Sequence, residues 1–550
     1  MPLKMFTAWQ LTLLLLFATR AVSDPARPCS SESFLFPSIF GARHVQTAAS
    51  LLDGYNGPGR RAEASLVGTD GVNACNVSVS YTHPGHGDTV TVQVWLPISN
   101  YNSRFVGVGG GGWQAGDIGG DIMPALTYQG YATVTTDGGY PYWAANAGAN
   151  SAWLMKEPGN LDYPLFINFA YRALHDMTVI GKHITDQYYG EPPKFSYWYG
   201  CSTGGRQGLT MAQKYPEDYD GILTSCPAVG FPALLVAMYW PQFVMHQLGT
   251  YPPACQFEAV AASAVEACDK LDGVNDGIIS RRDLCDFEPE SVIGKEFDCQ
   301  GTPSRITKET VEIVKAMLRG PTDPEGEQLF PGTTHGTAAT GFVATANTLC
   351  ADGQCTGGVP FPIAIDWIRL LVKKDPSFDP STLTHEQYAQ IFRESVREYG
   401  WWIGADDPDL QKFHEQGNKM IMWHSTNDEA ISVNAAMQYY EEVIAADQKR
   451  GIDTKDYYRY FEVPGARHCG APPGVPYPLN ALDTLRLWVE DSITPEELDA
   501  VVLGKVDESD KVHHPICVYP KVGTLTLQGF QCHEPGTTRE TAQLNIKDEL

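Results

Sequence analysis

The stretch FSYWYGCSTGGRQGLTMAQK at residues 195–214 decides how this chain folds. Its aromatic-rich beginning, residues 195–199, predicts a β-strand, and residues 206–214 predict a helix. Between them lies Gly200-Cys201-Ser202-Thr203-Gly204, which matches the pattern G-x-S-x-G. In a strand-turn-helix setting this pattern forms a sharp turn whose small neighbours hold the serine side chain above the edge of a sheet. The stretch therefore predicts a nucleophilic Ser202.

The sequence around this turn predicts an α/β-hydrolase fold with a large inserted lid domain. Between residues 78 and 230, short β-branched or aromatic runs alternate with helical stretches, as in a largely parallel sheet covered by helices. The predicted elements include strands at 90–96 and 105–108 and a long helix at 163–188. From residue 231 to 400 the pattern changes to helical segments, cysteine-closed loops and Gly/Pro-rich connections. We therefore predict a catalytic domain in two parts, 24–230 and 401–550 with its C-terminal tail, interrupted by a lid at 231–400.

A serine hydroxyl becomes an effective nucleophile beside an imidazole base that a carboxylate orients. In α/β-hydrolases these partners follow the serine in the order Asp or Glu, then His. Asp428 comes just after a predicted strand at 419–423, and His468 comes just after a predicted strand at 457–463. These positions favour Asp428 and His468 over the alternatives, which are Glu429 as the acid and His424 as the base.

Two groups of backbone amides are candidates for an oxyanion hole. The N–H of Thr203 lies at the predicted start of the helix, where amides lack intrahelical partners. Four consecutive glycines, residues 109–112, follow the predicted strand 105–108 and permit a close backbone approach to a carbonyl oxygen. We predict Thr203, Gly110 and Gly111 as the donors. The alternative for the glycines is a flexible hairpin.

The 13 cysteines indicate a disulfide framework with one thiol left over. Cys201 directly precedes Ser202 and Cys469 directly follows His468, so a bridge between them would clamp the nucleophile to the base. Spacing suggests further pairs, although sequence alone leaves the pairing open: Cys29 with Cys75, Cys268 with Cys285, Cys350 with Cys355, and Cys517 with Cys532. Cys226 follows an apolar run and is the candidate for the free, buried thiol.

Several motifs of this sequence resemble those of the tannase and feruloyl esterase family and occur in the same order as in that family. They are the Cys-Ser, Asp and His-Cys constellation, residues 199–208, residues 215–222 and the glycines at 109–112. The resemblance implies a serine carboxylic ester hydrolase that acts on esters of hydroxycinnamic or gallic acids through an acyl-enzyme intermediate. We expect feruloyl esterase-like activity, with tannase activity or a biosynthetic tailoring role as alternatives. The resemblance also implies a bridge between Cys255 and Cys299.

The predicted lid contains a loop at residues 268–278 that crowds acidic side chains and glycines together. Hard oxygen ligands at this density suit Ca²⁺, although the spacing is not that of an EF-hand. The family resemblance implies a structural Ca²⁺ held by the carboxylates of Asp269, Asp272 and Asp276 and the backbone carbonyls of Val274 and Ile278. The alternative is a solvated acidic turn.

Both ends of the chain carry signals for the secretory pathway. Residues 1–23 combine Lys4, an apolar run and small residues before position 24, which predicts a signal peptide. The last four residues, Lys547-Asp548-Glu549-Leu550, match a retrieval signal of the endoplasmic reticulum. We therefore expect the protein either in that lumen or secreted. The sequon Asn76-Val77-Ser78, in a polar stretch beside Cys75, predicts glycosylation.

The composition narrows the choice of partners. A formal net charge of −26 without a basic cluster argues against nucleic acid and anionic membranes. The sequence contains no uninterrupted run of about 18 apolar residues, so we predict no membrane span. A small aromatic ester is the expected partner, and the oligomeric state is not predicted. A non-catalytic lumenal binding protein on a hydrolase fold is the alternative from another class, which the intact Ser202, Asp428 and His468 argue against.

Overall fold

The computed structural model describes residues 25–57, 71–145, 148–341, 343–351, 354–502, 515–526 and 529–535. Its centre is a nine-stranded sheet. In chain order the strands are β1 (Arg43–Tyr55), β2 (Val72–Thr82), β3 (Val90–Pro97), β4 (Arg104–Val108), β5 (Ala132–Thr136), β6 (Phe195–Cys201), β7 (Gly221–Ser225), β8 (Lys419–Ser425) and β9 (Tyr458–Val463). Across the sheet they are arranged in the order β1-β2-β3-β5-β4-β6-β7-β8-β9.

Most of this sheet is parallel. Strands β5, β4, β6, β7, β8 and β9 pair in parallel, and β1, β2 and β3 extend the sheet through antiparallel pairs. Strands β4, β5 and β7 are buried along their whole length, as expected for parallel strands covered on both faces. Because the carboxyl ends of parallel strands meet at one edge, the segments that follow β4, β6, β8 and β9 converge there. This arrangement confirms the predicted α/β-hydrolase fold.

Helices and small hairpins surround the sheet. The α-helices are Ile122–Tyr128, Ser151–Leu154, Tyr163–Ile167, Ala173–Tyr189, Thr203–Lys214, Phe231–Ala237, Trp240–Leu248, Ala254–Cys268, Lys308–Arg319, Pro362–Asp366, His385–Ile403, Gln411–Glu415, Val433–Gln448 and Ala481–Asp491. Two π-helical turns, Asn168–Arg172 and Trp367–Val372, join or follow them. The paired short strands are Met155–Glu157 with Asn160–Leu161, Glu296–Cys299 with Thr302–Arg305, Asn347–Ala351 with Gln354–Val359, Pro476–Tyr477 with Val501–Val502, Glu497–Leu498 with Ile516–Cys517, and Val522–Thr526 with Gly529–His533.

The long helix predicted at residues 163–188 is present, but a π-helical turn at Asn168–Arg172 interrupts it before Ala173–Tyr189. Arg206 stabilises this wider turn. Its fully buried guanidinium donates a hydrogen bond to the carbonyl oxygen of Ala170, with Nη1 and O 2.5 Å apart. Because this partner comes from another helix, the apolar periodicity of the segment does not reveal the turn.

The chain leaves the sheet after β7 and returns at β8, and these two strands are direct neighbours. Residues 226–418 are therefore an insertion between adjacent strands, at the place where the lid was predicted. The insertion shares a hydrophobic core with the catalytic part. The ring centroid of Trp113 lies 6.3 Å from that of Phe231 and 6.1 Å from that of Trp367. This shared core holds the insertion against the sheet, and the exact domain boundaries stay predictions.

The disulfide framework agrees with the sequence analysis. The bonded pairs are Cys29–Cys75, Cys201–Cys469, Cys255–Cys299, Cys268–Cys285, Cys350–Cys355 and Cys517–Cys532. Cys226 is free and buried, as predicted. The bridge between Cys201 at the end of β6 and Cys469 in the loop after β9 joins the two parts of the catalytic domain, and the other five bridges close shorter loops.

The described residues bear on four other expectations to different degrees. Asn76 lies inside β2 and is half-buried with its side-chain oxygen enclosed, and its glycosylation stays a prediction. The predicted signal peptide at 1–23 and the tetrapeptide at 547–550 lie outside the described residues. Within the described ranges, none of the helices has the length and apolar character to cross a bilayer.

Candidate active site

The turn after β6 presents Ser202 at the edge of the sheet. The strand ends at Cys201, and the helix Thr203–Lys214 begins directly after the serine. Ser202 has φ 62° and ψ −122°, a conformation that is costly for a residue with a side chain. The turn depends on close packing of glycines, because a Cβ on Gly200 would lie 2.4 Å from the carbonyl oxygen of Gly204. The G-x-S-x-G pattern is therefore explained by the backbone contacts that support the strained serine.

Ser202, His468 and Asp428 form a chain of hydrogen bonds. The Nε2 atom of His468 lies 2.9 Å from Oγ of Ser202, and its Nδ1 atom lies 2.8 Å from Oδ2 of Asp428. The second carboxylate oxygen, Oδ1, accepts the backbone N–H groups of Ala430 at 2.9 Å and Ile431 at 2.8 Å. A hydroxyl, an imidazole and a fixed carboxylate in this order have the geometry for general-base activation of the hydroxyl.

The surroundings of Asp428 keep its carboxyl group ionised. Burial would by itself raise the pKa of Asp428, but the charge of His468 and the hydrogen bonds from His424 and His468 outweigh it and hold this pKa well below its usual range. His424 is fully buried, with Nε2 3.3 Å from Oδ2 of Asp428 and 3.1 Å from the carbonyl oxygen of Ile431. His424 thus supports the acid, and the base position beside Ser202 is held by His468. The alternative of His424 as the base is wrong.

Glu429, the alternative acid, contacts the backbone of the histidine instead of its ring. Its Oε2 atom accepts a hydrogen bond from the backbone N–H of His468, with a distance of 3.1 Å. The ring nitrogen is already bound by Asp428. The two consecutive acids therefore hold one histidine in different ways, and the acid of the hydrogen-bonded chain is Asp428.

The amides near Ser202 correct one prediction. The N–H of Gly110 donates to Oε1 of Gln207 at 3.0 Å, so Gly110 is engaged within the protein and is not a donor to substrate. Gly111, Gly112 and Thr203 line the space above the serine. The hydroxyl of Thr203 donates to the carbonyl oxygen of Gly112 at 2.7 Å. These bonds tie the glycine segment to the helix, so it is an anchored loop and the flexible hairpin is wrong.

The disulfide between Cys201 and Cys469 joins the residues next to the nucleophile and the base, with a Cα–Cα distance of 6.0 Å. The free thiol of Cys226 lies close by, with Sγ 3.3 Å from Oγ of Ser425. Burial, followed by the negative charge of Asp428, raises the pKa of the Cys226 thiol. A buried, protonated thiol is a poor nucleophile, so Cys226 packs in the core beneath the site.

A cavity of about 500 Å³ opens above Ser202 and His468. This active-site cavity lies between the catalytic part and the inserted segment. Its volume falls in the range of pockets that enclose small organic ligands. Most of its wall is apolar, with the inserted segment contributing Phe231, Leu235, Met238, Val343, Phe361 and Ile363. The arrangement is that of a nucleophile at the floor of a pocket for an uncharged molecule.

Comparison with known proteins places this arrangement in a family. The family model described as tannase and feruloyl esterase matches residues 75–532. A probable feruloyl esterase of Arthroderma benhamiae is 37% identical over 82% of this chain and 83% of its own length. A tannin acyl hydrolase from Aspergillus niger superposes with a TM-score of 0.83 and 26% identity over 93% of this chain and 96% of its own. Feruloyl esterase B from Aspergillus oryzae gives a TM-score of 0.71 and 25% identity over 90% and 98%.

The chain belongs to the tannase and feruloyl esterase family. It is therefore a carboxylic ester hydrolase. The match begins at Cys75, so it includes most of β2, the strands β3 to β9, the insertion and all of the residues that meet around Ser202.

The acidic loop of this family member follows the helix Ala254–Cys268. Asp272 is buried, and its Oδ2 atom has no hydrogen-bond partner among the described residues. Desolvation and the negative charge of Asp272 raise the pKa of Asp276 to about 6. The Oδ1 atom of Asp269 accepts the backbone N–H groups of Asp276 and Gly277, each at 3.1 Å. The loop thus brings the carboxylates of Asp269, Asp272 and Asp276 together within one short segment.

The carboxylate oxygens of the acidic loop do not lie close enough together to surround one metal ion. Among the described residues, the groups whose ligand atoms all lie within 4.8 Å of one another are His83 with His86 and Asp88, and Cys226 with His424 and Asp428. Both groups are joined by hydrogen bonds or belong to the active site. Binding of Ca²⁺ by the acidic loop would therefore require its side chains to rotate towards a common centre.

Sequence reasoning missed several residues of the site. Gln207, which holds Gly110, lies in the helix just after the G-x-S-x-G motif but carries no recognisable signal for this contact. The apolar wall of the active-site cavity comes from separate segments of the insertion, for which no motif was recognised. The supporting role of Glu429 was missed because adjacency to Asp428 suggested competition for one position.

Proposed function

We propose that the protein is a serine esterase that hydrolyses esters of phenolic acids, feruloyl esterase-like, through an acyl-enzyme intermediate. The observation that carries this proposal is the hydrogen-bonded chain of Ser202, His468 and Asp428 at the floor of the active-site cavity. The relatives named feruloyl esterase support the choice of acyl group, because one of them is 37% identical to this chain.

In the acylation step, Oγ of Ser202 attacks the ester carbonyl carbon while Nε2 of His468 takes the hydroxyl proton. The carbonyl oxygen becomes an oxyanion that the N–H groups of Thr203 and Gly111 bind. The bond to the alcohol oxygen then breaks, and His468 returns the proton to the departing alcohol. The acyl group remains on Ser202 as an ester.

In the deacylation step, a water molecule takes the place of the alcohol. His468 removes a proton from this water as the oxygen attacks the acyl carbonyl carbon, and the collapse of the second oxyanion releases the acid. The proton passes back to Oγ of Ser202, which restores the enzyme. Throughout, the ionised Asp428 accepts the hydrogen bond from Nδ1–H of His468 and stabilises the charged imidazole.

We also propose that the acidic loop holds a structural Ca²⁺. The buried Oδ2 of Asp272, which has no hydrogen-bond partner in the described part of the chain, supports this, because an unpartnered buried carboxylate oxygen is costly unless a cation neutralises it. Asp269 and Asp276 would supply further carboxylates, and Val274 and Ile278 would supply carbonyls. All of these positions lie within the loop that the disulfide Cys268–Cys285 closes, so the ion would stabilise that loop.

The six disulfides support folding in an oxidising compartment. We therefore propose that the protein is made in the secretory pathway. The tetrapeptide at residues 547–550 leads us to propose retention in the endoplasmic reticulum as the finer alternative to secretion. Immunolocalisation of the full chain with and without these four residues separates the two destinations.

The test uses the purified full chain and methyl ferulate, methyl caffeate, methyl gallate and a plain aliphatic ester. We expect turnover of the phenolic esters, and Ser202→Ala should lower kcat by about 10⁴-fold or more without unfolding the protein. A fluorophosphonate should label the wild type and the control Ser50→Ala, which alters an exposed serine on β1, but not Ser202→Ala. Wild-type protein that neither turns over esters nor reacts with the probe would support the non-catalytic alternative.

A second candidate function is hydrolysis of galloyl esters. The similarity to a tannin acyl hydrolase, with a TM-score of 0.83 and 26% identity, supports it as a candidate beside the first. In the same panel, a higher kcat/KM for methyl gallate than for methyl ferulate would establish this candidate over the first.

A further inference from the structure

Apolar side chains form most of the wall of the active-site cavity. Among the described residues that line it, none has a carboxylate, carboxamide, ammonium or guanidinium group. The wall facing Ser202 consists of aliphatic and aromatic carbon, and Ile363 reaches the glycine loop, where a Cβ on Gly112 would lie 3.1 Å from Cδ1 of Ile363. A substrate ring in this cavity therefore meets carbon on most of its surface.

Most of the hydroxyl and imidazole groups in the wall are already hydrogen-bonded within the protein. The hydroxyl of Thr203 donates to the carbonyl oxygen of Gly112, and Ser202 and His468 bind each other. The remaining hydroxyl belongs to Tyr477, which is buried with its ring centroid 5.5 Å from that of Trp423 in an edge-to-face contact. The described wall therefore provides few side-chain partners for hydroxyl groups on a substrate.

This composition has a consequence for selectivity. A phenolic hydroxyl is well solvated in water, and burying it without a partner weakens binding by about tenfold or more. A methoxy group has no donor to satisfy and adds apolar surface that the wall covers favourably. A methyl ester has a small alcohol, so its aromatic acyl group must be the part that fills the cavity.

We infer that the active-site cavity selects aromatic acyl groups whose ring oxygens are methylated and discriminates against acyl groups with several free hydroxyls, such as galloyl. This inference rests on the proposed function, since it specifies the substrate class of the same site. It places the selectivity in the apolar wall and not in the nucleophile or its base.

The decisive experiment compares pairs of esters with the same carbon skeleton on the wild-type enzyme. The pairs are methyl 3,4,5-trimethoxybenzoate with methyl gallate, and methyl 3,4-dimethoxycinnamate with methyl caffeate, at about pH 6, where phenols remain protonated. We expect kcat/KM for the methylated member to be at least about 10-fold higher in each pair. Equal values, or a preference for the hydroxylated member, would overturn the inference while leaving the esterase assignment intact.

A pair of variants tests whether the wall is responsible. Ile363→Gln adds a hydrogen-bonding group at a half-buried position of the wall, and Ile363→Leu keeps the position apolar. The ratio of kcat/KM for methylated over hydroxylated esters should fall several-fold in Ile363→Gln and stay near the wild-type ratio in Ile363→Leu. Equal ratios in two folded variants would overturn the role of the wall. Absence of turnover of every aromatic ester, with aliphatic esters still hydrolysed, would overturn both the proposed function and this inference.

Discussion

The carboxylate of Glu429 accepts the backbone N–H of His468, with Oε2 and N 3.1 Å apart. The preceding residue, Asp428, binds the ring of the same histidine through Nδ1 at 2.8 Å. One acid therefore orients the imidazole, and its neighbour fixes the backbone from which the imidazole projects. This relationship predicts that the two acids affect catalysis to different degrees.

We predict that Asp428→Asn lowers kcat by about 10⁴-fold, because the amide neither fixes the required tautomer nor stabilises the charged ring. Glu429→Ala should lower kcat by about 10- to 100-fold, the value of one hydrogen bond to a charged group that positions the base. Glu429→Gln, whose amide oxygen still accepts the backbone N–H, should recover most of this loss. Steady-state kinetics with any hydrolysed ester gives these values, and a Glu429→Ala defect as large as that of Asp428→Asn would contradict the division of roles.

A second prediction concerns the effect of removing the bridge between Cys201 and Cys469. It closes a loop with a sequence separation of 268, for which the chain-entropy model gives roughly 5 kcal/mol. Because it also fixes the backbone beside both Ser202 and His468, the double change to Ala should lower kcat even where the protein remains folded. Thermal unfolding and kcat are measured on the same samples.

The matched control is the double change of Cys255 and Cys299, a bridge in the insertion with a sequence separation of 44. It should lower stability without lowering kcat of the folded enzyme. A Cys201/Cys469 variant with native kcat and only reduced stability would show that the bridge is structural alone.

The sequence was sufficient to predict that Ser202, Asp428 and His468 lie close together, because each follows a strand of a parallel sheet. In such a sheet, strand ends meet at one edge, so the order of motifs along the chain carries three-dimensional information. The glycine loop shows the limit of this reasoning. Which of its amides faces the substrate depends on Gln207 binding Gly110, a contact that a run of identical residues does not encode.

The residues of the cavity wall could not be predicted from the sequence, for a different physical reason. Phe231, Leu235 and Ile363 are separated along the chain and meet only because the insertion packs on the aromatic core around Trp113. Apolar residues at such positions read as ordinary core residues, since burial against protein and burial against substrate favour the same side chains.

The acidic loop gives a third prediction. If Ca²⁺ binds Asp269, Asp272 and Asp276, removal of the ion by a chelator should lower the melting temperature before it affects kcat, because the ion stabilises only the folded state. Asp272→Asn should melt at the lower temperature and no longer respond to the chelator. Asp298→Asn, which changes an exposed acid of the same insertion, should respond like the wild type. A wild-type melting temperature that is unchanged by the chelator would refute the site.

A fourth prediction concerns a buried histidine away from the active site. The Nδ1 atom of His83 lies 2.6 Å from Oδ2 of Asp88, and its Nε2 atom lies 3.2 Å from Oδ2 of Asp176. Arg172 lies 3.7 Å from Asp88 and also contacts His86, so a second cation faces the carboxylate of Asp88. Burial acts to lower the pKa of His83, but its hydrogen bonds to Asp176 and Asp88 outweigh burial and the net shift is upward.

A histidine whose pKa is higher in the folded than in the unfolded state stabilises the fold most at low pH. This contribution is fully present below the unfolded pKa of about 6.5 and is lost as the pH rises through the folded pKa. We predict that His83→Gln lowers the free energy of unfolding by about 1 to 3 kcal/mol near pH 5.5 and that this difference shrinks as the pH rises to about 9. Denaturant unfolding at several pH values measures it, with His44→Gln, an exposed histidine on β1, as the control. A destabilisation by His83→Gln that is the same at every pH would mean that His83 contributes by packing and not by its charge between Asp88 and Asp176.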